Sequence, residues 1–358
     1  MINDINLENI LNIYEKEISK NVKNKRKLRD FEDNKMQHIS NIITLLKNNE
    51  IGHRQYNIFL IKEPKIRLVM SLSVKDKIIN HFITRYILEK KLTKYLDMRN
   101  VATRIGMGTD YALKLTKKYL ELTKKYEKVY VLKIDISKYF YSINHYILKN
   151  MLKNKLDDFE YNLIEQIIDS TNKEYINEVI KKIINKYKID IPLYESNKGL
   201  PIGNMTSQFL SIFYLNKLDH YIIHTLGFKH YIRYMDDFII ISPEKEKLKE
   251  AKYIIKKKLE NDYDLKINLK KTHIYEMKYG FSFLGYIFKF NKNKKTIIKI
   301  KKSNLEKVKK RVKQVKNLLN KNKISYKKAF CSIMTYSNCY KYGNNKKVLN
   351  IIDRWFYE

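Results

Sequence analysis

The chain has 358 residues, with 73 Lys and Arg against 38 Asp and Glu, a formal net charge of +35. That excess goes beyond what solubility needs and points to a polyanionic partner, since a basic surface gathers phosphates and gains affinity by counterion release. Cys331 and Cys339 lack the spacing of a zinc site, and a pair of cysteines excludes a disulfide scaffold. Lys, Asn and Ile are abundant everywhere, which weakens the inference from charge, but acidic residues have not risen in step. The 29 Tyr and 15 Phe add stacking platforms, most of them expected in the core. No apolar stretch reaches the ~18 residues of a membrane span. Met1-Ile2-Asn3-Asp4 lacks the basic region and apolar core of a signal peptide, so a cytoplasmic protein without membrane contact is expected.

Nine Gly and four Pro leave little room for a flexible linker, so subdomains are expected to pack as one body. Residues 1–50 predict charged helices, with Ile5, Leu7, Ile10, Leu11 and Ile13 on an imperfect apolar face. Two short strands around a Pro64 turn follow, from Phe59 to Met70, and then a helix from about Val74 to Leu96. Residues 107–125 are helical again, preceded by Arg104-Ile105-Gly106-Met107-Gly108. Strands and helices alternate to about residue 290. From Ser303 onward, Leu305, Val308, Val312, Val315 and Leu319 keep helical spacing in Lys-rich surroundings.

Three motifs carry chemistry. Tyr234-Met235-Asp236-Asp237 lies between two β-branched and aromatic runs, which puts adjacent carboxylates at the tip of a hairpin. Taken alone, an Asp-Asp turn is also the ordinary solvated kind. Upstream, Val129-Tyr130-Val131-Leu132-Lys133-Ile134-Asp135 is a buried strand ending on Asp, a residue that by itself could be a strand-end or helix-cap carboxylate. Together they suit a two-metal site, in which carboxylates from separate strands hold hard cations about 3.5–4 Å apart for in-line phosphoryl displacement. Between them, Gly199-Leu200-Pro201-Ile202-Gly203-Asn204-Met205-Thr206-Ser207-Gln208 concentrates small residues in a Gly-poor chain, as a loop approaching a ligand would, or as a tight capped turn would.

In this order, the Asp135 strand, the Gly199–Gln208 loop and the Tyr234–Asp237 hairpin resemble the conserved blocks of a reverse transcriptase, and Phe281-Ser282-Phe283-Leu284-Gly285-Tyr286 resembles the later block that grips the primer. The likeness covers roughly residues 55–290. The Leu200–Gln208 block is most similar to bacterial diversity-generating retroelement enzymes and related bacterial, in part antiviral defence, reverse transcriptases. Retron and group II intron enzymes usually carry Gln at the position of Ile202, so an apolar residue there implies relaxed fidelity or an unusual template.

The resemblance implies an α+β right-hand polymerase: an N-terminal helical extension (1–50), fingers (51–134), a palm of antiparallel sheet with helices on one face (135–290) and a helical thumb (291–358). It implies RNA-directed DNA synthesis with Asp135, Asp236 and Asp237 as catalytic residues. These three and the Ile136 carbonyl would hold two Mg²⁺, for which Mn²⁺ can substitute. Lys65, Arg67, Phe140, Ile202, Gly203, Gln208 and Lys270, or Lys271 in its place, would contact the nucleotide. Within that set Phe140 would exclude a ribose 2′-hydroxyl, and the lysine would protonate the leaving pyrophosphate. Arg104, Gly106, Gly108, Tyr234, Leu284 and Gly285 would meet nucleic acid. The implied partners are an RNA template, expected to be a dedicated noncoding RNA, a DNA or RNA primer and deoxynucleotides. An accessory protein or homo-oligomer is left open, as are the choice between retroelement and defence roles, an untemplated or protein-primed polymerase of phage defence, and a catalytically silent RNA-binding scaffold.

Overall fold

The structure is a computed structural model and describes residues 2–52, 55–61, 66–339, 349–350 and 353–354. Its centre is a four-stranded antiparallel sheet built from β3 (Tyr130–Asp135), β4 (Tyr231–Tyr234), β5 (Asp237–Ser242) and β6 (His273–Glu276), in the order β4-β5-β3-β6. A separate hairpin, β1 (Asn57–Ile61) with β2 (Arg67–Ser71), precedes it in the chain, and a three-stranded meander, β7 (Phe281–Phe283), β8 (Tyr286–Phe290) and β9 (Thr296–Ile300), follows it. The helices Lys302–Asn320 and Tyr326–Cys339 come last. The helical C-terminal part thus begins after a strand, at Lys302 rather than at 291. β9 pairs along its whole length with β8 as a hairpin, which the Lys-rich, Gly-free stretch from Asn291 to Ile300 does not announce, since it lacks the Gly that usually marks such a turn.

Strand alternation explains why the central sheet is covered on both faces. Leu132 and Ile134 of β3, Phe238 and Ile240 of β5 and Tyr231 of β4 pack into the larger core, against helices Val74–Phe82, Met205–Tyr214 and Lys245–Tyr263. Val131, Ile232, Ile239 and Ile241 point the other way, into a second core with Ala112 and Leu113 of helix Thr109–Thr123 and with Phe281, Phe283 and Phe288 of the meander. The expectation of helices on one face is therefore corrected: a strand apolar at consecutive positions must be covered on both sides, and here helix and meander share the second.

The N-terminal helices join the larger core through Ile10, Ile39, Ile42 and Leu46, each fully buried. Glu17 from this region accepts from Arg85 Nε at 2.9 Å and lies 2.7 Å from His81 Nδ1. The segment expected as one helix from Val74 to Leu96 is helical throughout but changes pitch, passing through a π-helical stretch at Ile83–Glu89 and a 3₁₀ turn at Thr93–Tyr95. Among the described residues no helix is long and apolar enough to cross a membrane.

Candidate active site

The register of β3 on β5 sets Asp135 directly opposite Asp237, and the β4–β5 turn places Asp236 beside them. Two main-chain bonds fix the convergence: Ile136 N–H donates to the Asp236 carbonyl at 3.2 Å, and Asn268 N–H donates to the Asp135 carbonyl at 2.7 Å. Asp135 is 9% exposed, so three carboxylates gather where water screens them poorly. Burial raises the pKa of Asp236, and the neighbouring Asp135 charge adds to the rise. Burial likewise pushes Asp237 up to about 6, against the opposing pull of Lys133.

Two lysines balance part of this charge. Lys271 Nζ lies 2.9 and 3.1 Å from the two oxygens of Asp135. Lys133, which shares a face of β3 with Asp135 because strand side chains alternate, lies 3.0 Å from Asp237 Oδ2 and donates to the Ser282 carbonyl at 2.9 Å. It therefore ties the carboxylates to the turn of β7 and β8, where Leu284 and Gly285 sit. Asp237 Oδ1 is buried with no hydrogen-bond partner among the described residues. An unsatisfied buried oxygen among convergent carboxylates fits a hard divalent cation, which takes oxygen donors.

The turn itself is held under strain. Met235 has φ 59°, at the first central position of a two-residue hairpin where glycine is the usual occupant. A non-glycine residue there costs about 1–3 kcal/mol and persists only where the surroundings hold it. Arg233, fully buried on the opposite face of the sheet, supplies that hold: Nη1 donates to the Met235 carbonyl at 3.1 Å and Nη2 to the Ile212 carbonyl at 2.8 Å. Its charge is met by Asp219, also fully buried, through Nε at 2.7 Å and Nη2 at 2.6 Å, and Tyr231 donates its hydroxyl to the same carboxylate at 2.6 Å. Burial pulls the Arg233 pKa down, but Asp219 more than restores it, so the guanidinium stays charged.

The Gly199–Gln208 loop is pinned from two sides. Gly199 has φ 88°, and a Cβ there would stand 2.5 Å from the Tyr194 ring. Its carbonyl accepts from His145 Nε2 at 2.7 Å and from Thr171 Oγ1 at 3.0 Å. Gly203, at φ 119°, lies against β2, where a Cβ would meet Val69 at 3.1 Å, and the Ile202 carbonyl accepts from Met70 N–H at 2.8 Å. The basic hairpin and the loop are thereby one unit. Arg67 of β2 is exposed, and its charge acts on Asp236. Lys65 lies outside the described residues.

The other predicted positions fall as follows. Phe140 is half-buried, edge-on to Tyr139, and its carbonyl accepts from Leu200 N–H at 2.8 Å, so it links the Asp135 motif to the loop. Gln208 is half-buried in helix Met205–Tyr214. Lys270 is exposed and makes no contact with the carboxylates, whereas its neighbour Lys271 does. Arg104 directs Nη1 to the carbonyls of Asp97 and Asn100, at 2.6 and 3.0 Å. Gly106 and Gly108 shape the loop before helix Thr109–Thr123, Gly108 N–H donating to the Val101 carbonyl. Tyr234 is half-buried, its hydroxyl 3.4 Å from Thr109 Oγ1. Gly285 offers its carbonyl to Lys301 N–H and Asn304 Nδ2. Sequence reasoning missed Lys133, Arg233 and Asp219. The period-2 relation of Lys133 to Asp135 could have revealed the first; nothing in the sequence pairs the other two.

A mixed fold in which an antiparallel sheet brings a strand-end Asp to an Asp-Asp hairpin is that of right-hand polymerases. Residues 60–288 match the reverse transcriptase (RNA-dependent DNA polymerase) family, so the chain belongs to that family. Among solved structures it is similar to apo telomerase from Candida tropicalis truncated from its C-terminal domain, with a TM-score of 0.50 and 16% identity over 69% of this chain and 55% of that one. Telomerase from Candida albicans in complex with a fragment of telomeric RNA gives 0.47 and 13%, over 83% and 59%. The chain thus spans little more than half the length of these structures, and at 16% identity the first likeness concerns the fold alone. No curated protein matches it.

Two outcomes are expected. Arg233→Met should cost about 3–5 kcal/mol in denaturant unfolding by leaving Asp219 buried and unpaired, and adding Asp219→Leu should recover much of it; equal losses from single and double variants would contradict the pairing. His145, which faces Asp169 and Lys149, has its pKa lowered by burial. A base depressed in the folded state contributes stability that is present above its unfolded pKa of about 6.5 and lost as pH falls through the folded value. The unfolding midpoint should fall as pH drops below about 6.5, and His145→Gln should flatten that fall.

Proposed function

We propose that the chain is an RNA-directed DNA polymerase that makes cDNA by two-metal nucleotidyl transfer. The convergence of Asp135, Asp236 and Asp237 from two strands and a turn, with a buried oxygen of Asp237 left for a cation, is the observation that supports it most. Held by these carboxylates and the Ile136 carbonyl, two Mg²⁺, or Mn²⁺ in their place, would supply Lewis-acid stabilisation of the attacking and leaving oxygens. The protein's own share is chiefly positioning and electrostatics.

In this reading residues 51–134 are the fingers, 135–290 the palm and the C-terminal helices the thumb. Arg67, with Lys65 two residues before it in the chain, holds the triphosphate. Because the Ile202 carbonyl and Gly203 are seated on β2, the hairpin and the loop move together over the nucleotide. Ile202 offers no side-chain hydrogen bond to the base pair, which loosens selection of the incoming nucleotide, while Gln208 lies on the helix behind it. Phe140 closes the space beside the sugar 2′ position. Lys271, whose Nζ contacts the Asp135 carboxylate, would in this reading take the place of Lys270 as proton donor to the leaving pyrophosphate. Leu284 and Gly285, with Tyr234, meet the primer strand, and Gly106 and Gly108 let the template backbone approach, with Arg104 bracing their loop. The template is RNA, the substrates are deoxynucleotides, and the setting is a cytoplasmic bacterial retroelement or antiviral defence system with a dedicated noncoding RNA.

Primer extension on an RNA template should give magnesium-dependent incorporation in the native chain and loss of at least about a thousandfold in Asp236→Ala. No incorporation by the native chain across varied primers and templates would favour a silent RNA-binding scaffold, and homopolymer product would point to untemplated synthesis. Phe140→Ala should raise ribonucleotide incorporation relative to deoxyribonucleotide by about tenfold or more while leaving deoxynucleotide incorporation measurable. An unchanged ratio would remove Phe140 from sugar selection.

A further inference from the structure

Behind the β4–β5 hairpin, Asp97, His220 and His224 form a cluster that shares no residue with the three carboxylates. Each offers one ligand atom, and those atoms lie within 4.8 Å of one another. The histidines come from one helical run, His220 at the end of Asn216–His220 and His224 in the π-helical turn Tyr221–Thr225. The four-residue spacing puts them on one face, with rings 5.7 Å apart and 14° from parallel. Asp97 comes from the loop after Thr93–Tyr95, so two separate parts of the chain meet here.

We propose that Asp97, His220 and His224 bind a single divalent transition-metal ion, of the Zn²⁺ or Co²⁺ class, as a structural clip. Two imidazole nitrogens and one carboxylate oxygen are the donor set of borderline metals rather than of Mg²⁺, which takes oxygen. Three protein ligands leave a fourth position for water. The surroundings orient the ligands as metal sites require. His220 Nε2 lies 3.0 Å from the Tyr95 carbonyl, which fixes its tautomer and leaves Nδ1 as the ligand atom. Arg99 holds the Asp97 carboxylate through its N–H at 2.8 Å and through Nη1 at 3.2 and 3.1 Å. An ionised carboxylate has about four acceptor positions, so one remains for the metal. The Asp97 side chain is 14% exposed, sheltered from competing water, while both histidines are open enough to close on an ion.

The clip has a structural consequence. Asp219, the buried partner of Arg233, immediately precedes His220, and Asn100, just after Asp97 and Arg99, donates to the Ile212 carbonyl that Arg233 also contacts. Val101 N–H donates to the Arg233 carbonyl, and Arg233 N–H to the Arg99 carbonyl. A metal joining Asp97 to His220 and His224 ties together the two segments that grip Arg233.

The test is titration of the full chain with Co²⁺, with Mg²⁺ in excess to occupy hard-oxygen sites. One equivalent of Co²⁺ should bind, with the visible absorption of a four-coordinate nitrogen- and oxygen-ligated centre. Zn²⁺ should displace it, and binding should raise the unfolding midpoint. His224→Gln, an exposed change, should lose the absorption and the metal-dependent shift while keeping the metal-free midpoint. Asp97→Asn should weaken binding similarly. Stoichiometric binding unchanged in His224→Gln, or no binding by the native chain, overturns the proposal. Because the readout is metal binding and stability, it is independent of whether the chain extends primers.

Discussion

Placing Asp135 opposite Asp237 in an antiparallel ladder is the constraint around which the molecule is arranged. The two carboxylates and Asp236 would repel one another in any setting, and more so when partly buried. The fold answers with charge from several directions: Lys133 along the same strand, Lys271 from the segment before β6, and Arg67 from the β1–β2 hairpin. Each of those cations comes from a different part of the chain, so the site is complete only when the parts are assembled.

The second layer of support lies on the far side of the sheet. Arg233 projects away from Asp237 because β4 alternates, and it reaches back by main-chain contact to Met235, the strained residue of the turn. A charged side chain at that depth is stable only because Asp219 pairs with it in two places and Tyr231 adds a third bond to the same carboxylate. Rigid backing of this kind suits a site whose task is positioning: a hairpin tip free to fray would carry two carboxylates out of register with the third. The Asp97 and histidine cluster continues the same backing outward to the surface.

The loop and the basic hairpin complete the enclosure. Glycine is favoured at 199 and 203 by a positive φ at each, and at 199 the Tyr194 ring also leaves no room for a Cβ, while at 203 β2 makes one tight. Neither contact can be inferred from loop composition, which pointed to a loop approaching a ligand or to a tight capped turn; the close approaches in the structure are to the protein's own Tyr194 and β2. The family match covers this whole region, from β1 to β8.

Local pattern determined much of this. The runs around Asp135 and Asp236-Asp237 mark themselves as strand and hairpin because β-branched residues and a turn pair carry their own conformational preference. Helical spacing marked the C-terminal helices for the same reason. The order of three motifs was enough to suggest the family. Tertiary structure alone decided what depends on register and on facing elements: that Lys133 and Lys271, among 73 basic residues, are the ones at the carboxylates, that the second face of the sheet is covered by a helix and a meander, and that Arg233 and Asp219 are paired. A lysine or an arginine has nearly the same local signature wherever it lies. Its role is set by which charge the folded chain brings within reach, and that is a property of the assembled sheet.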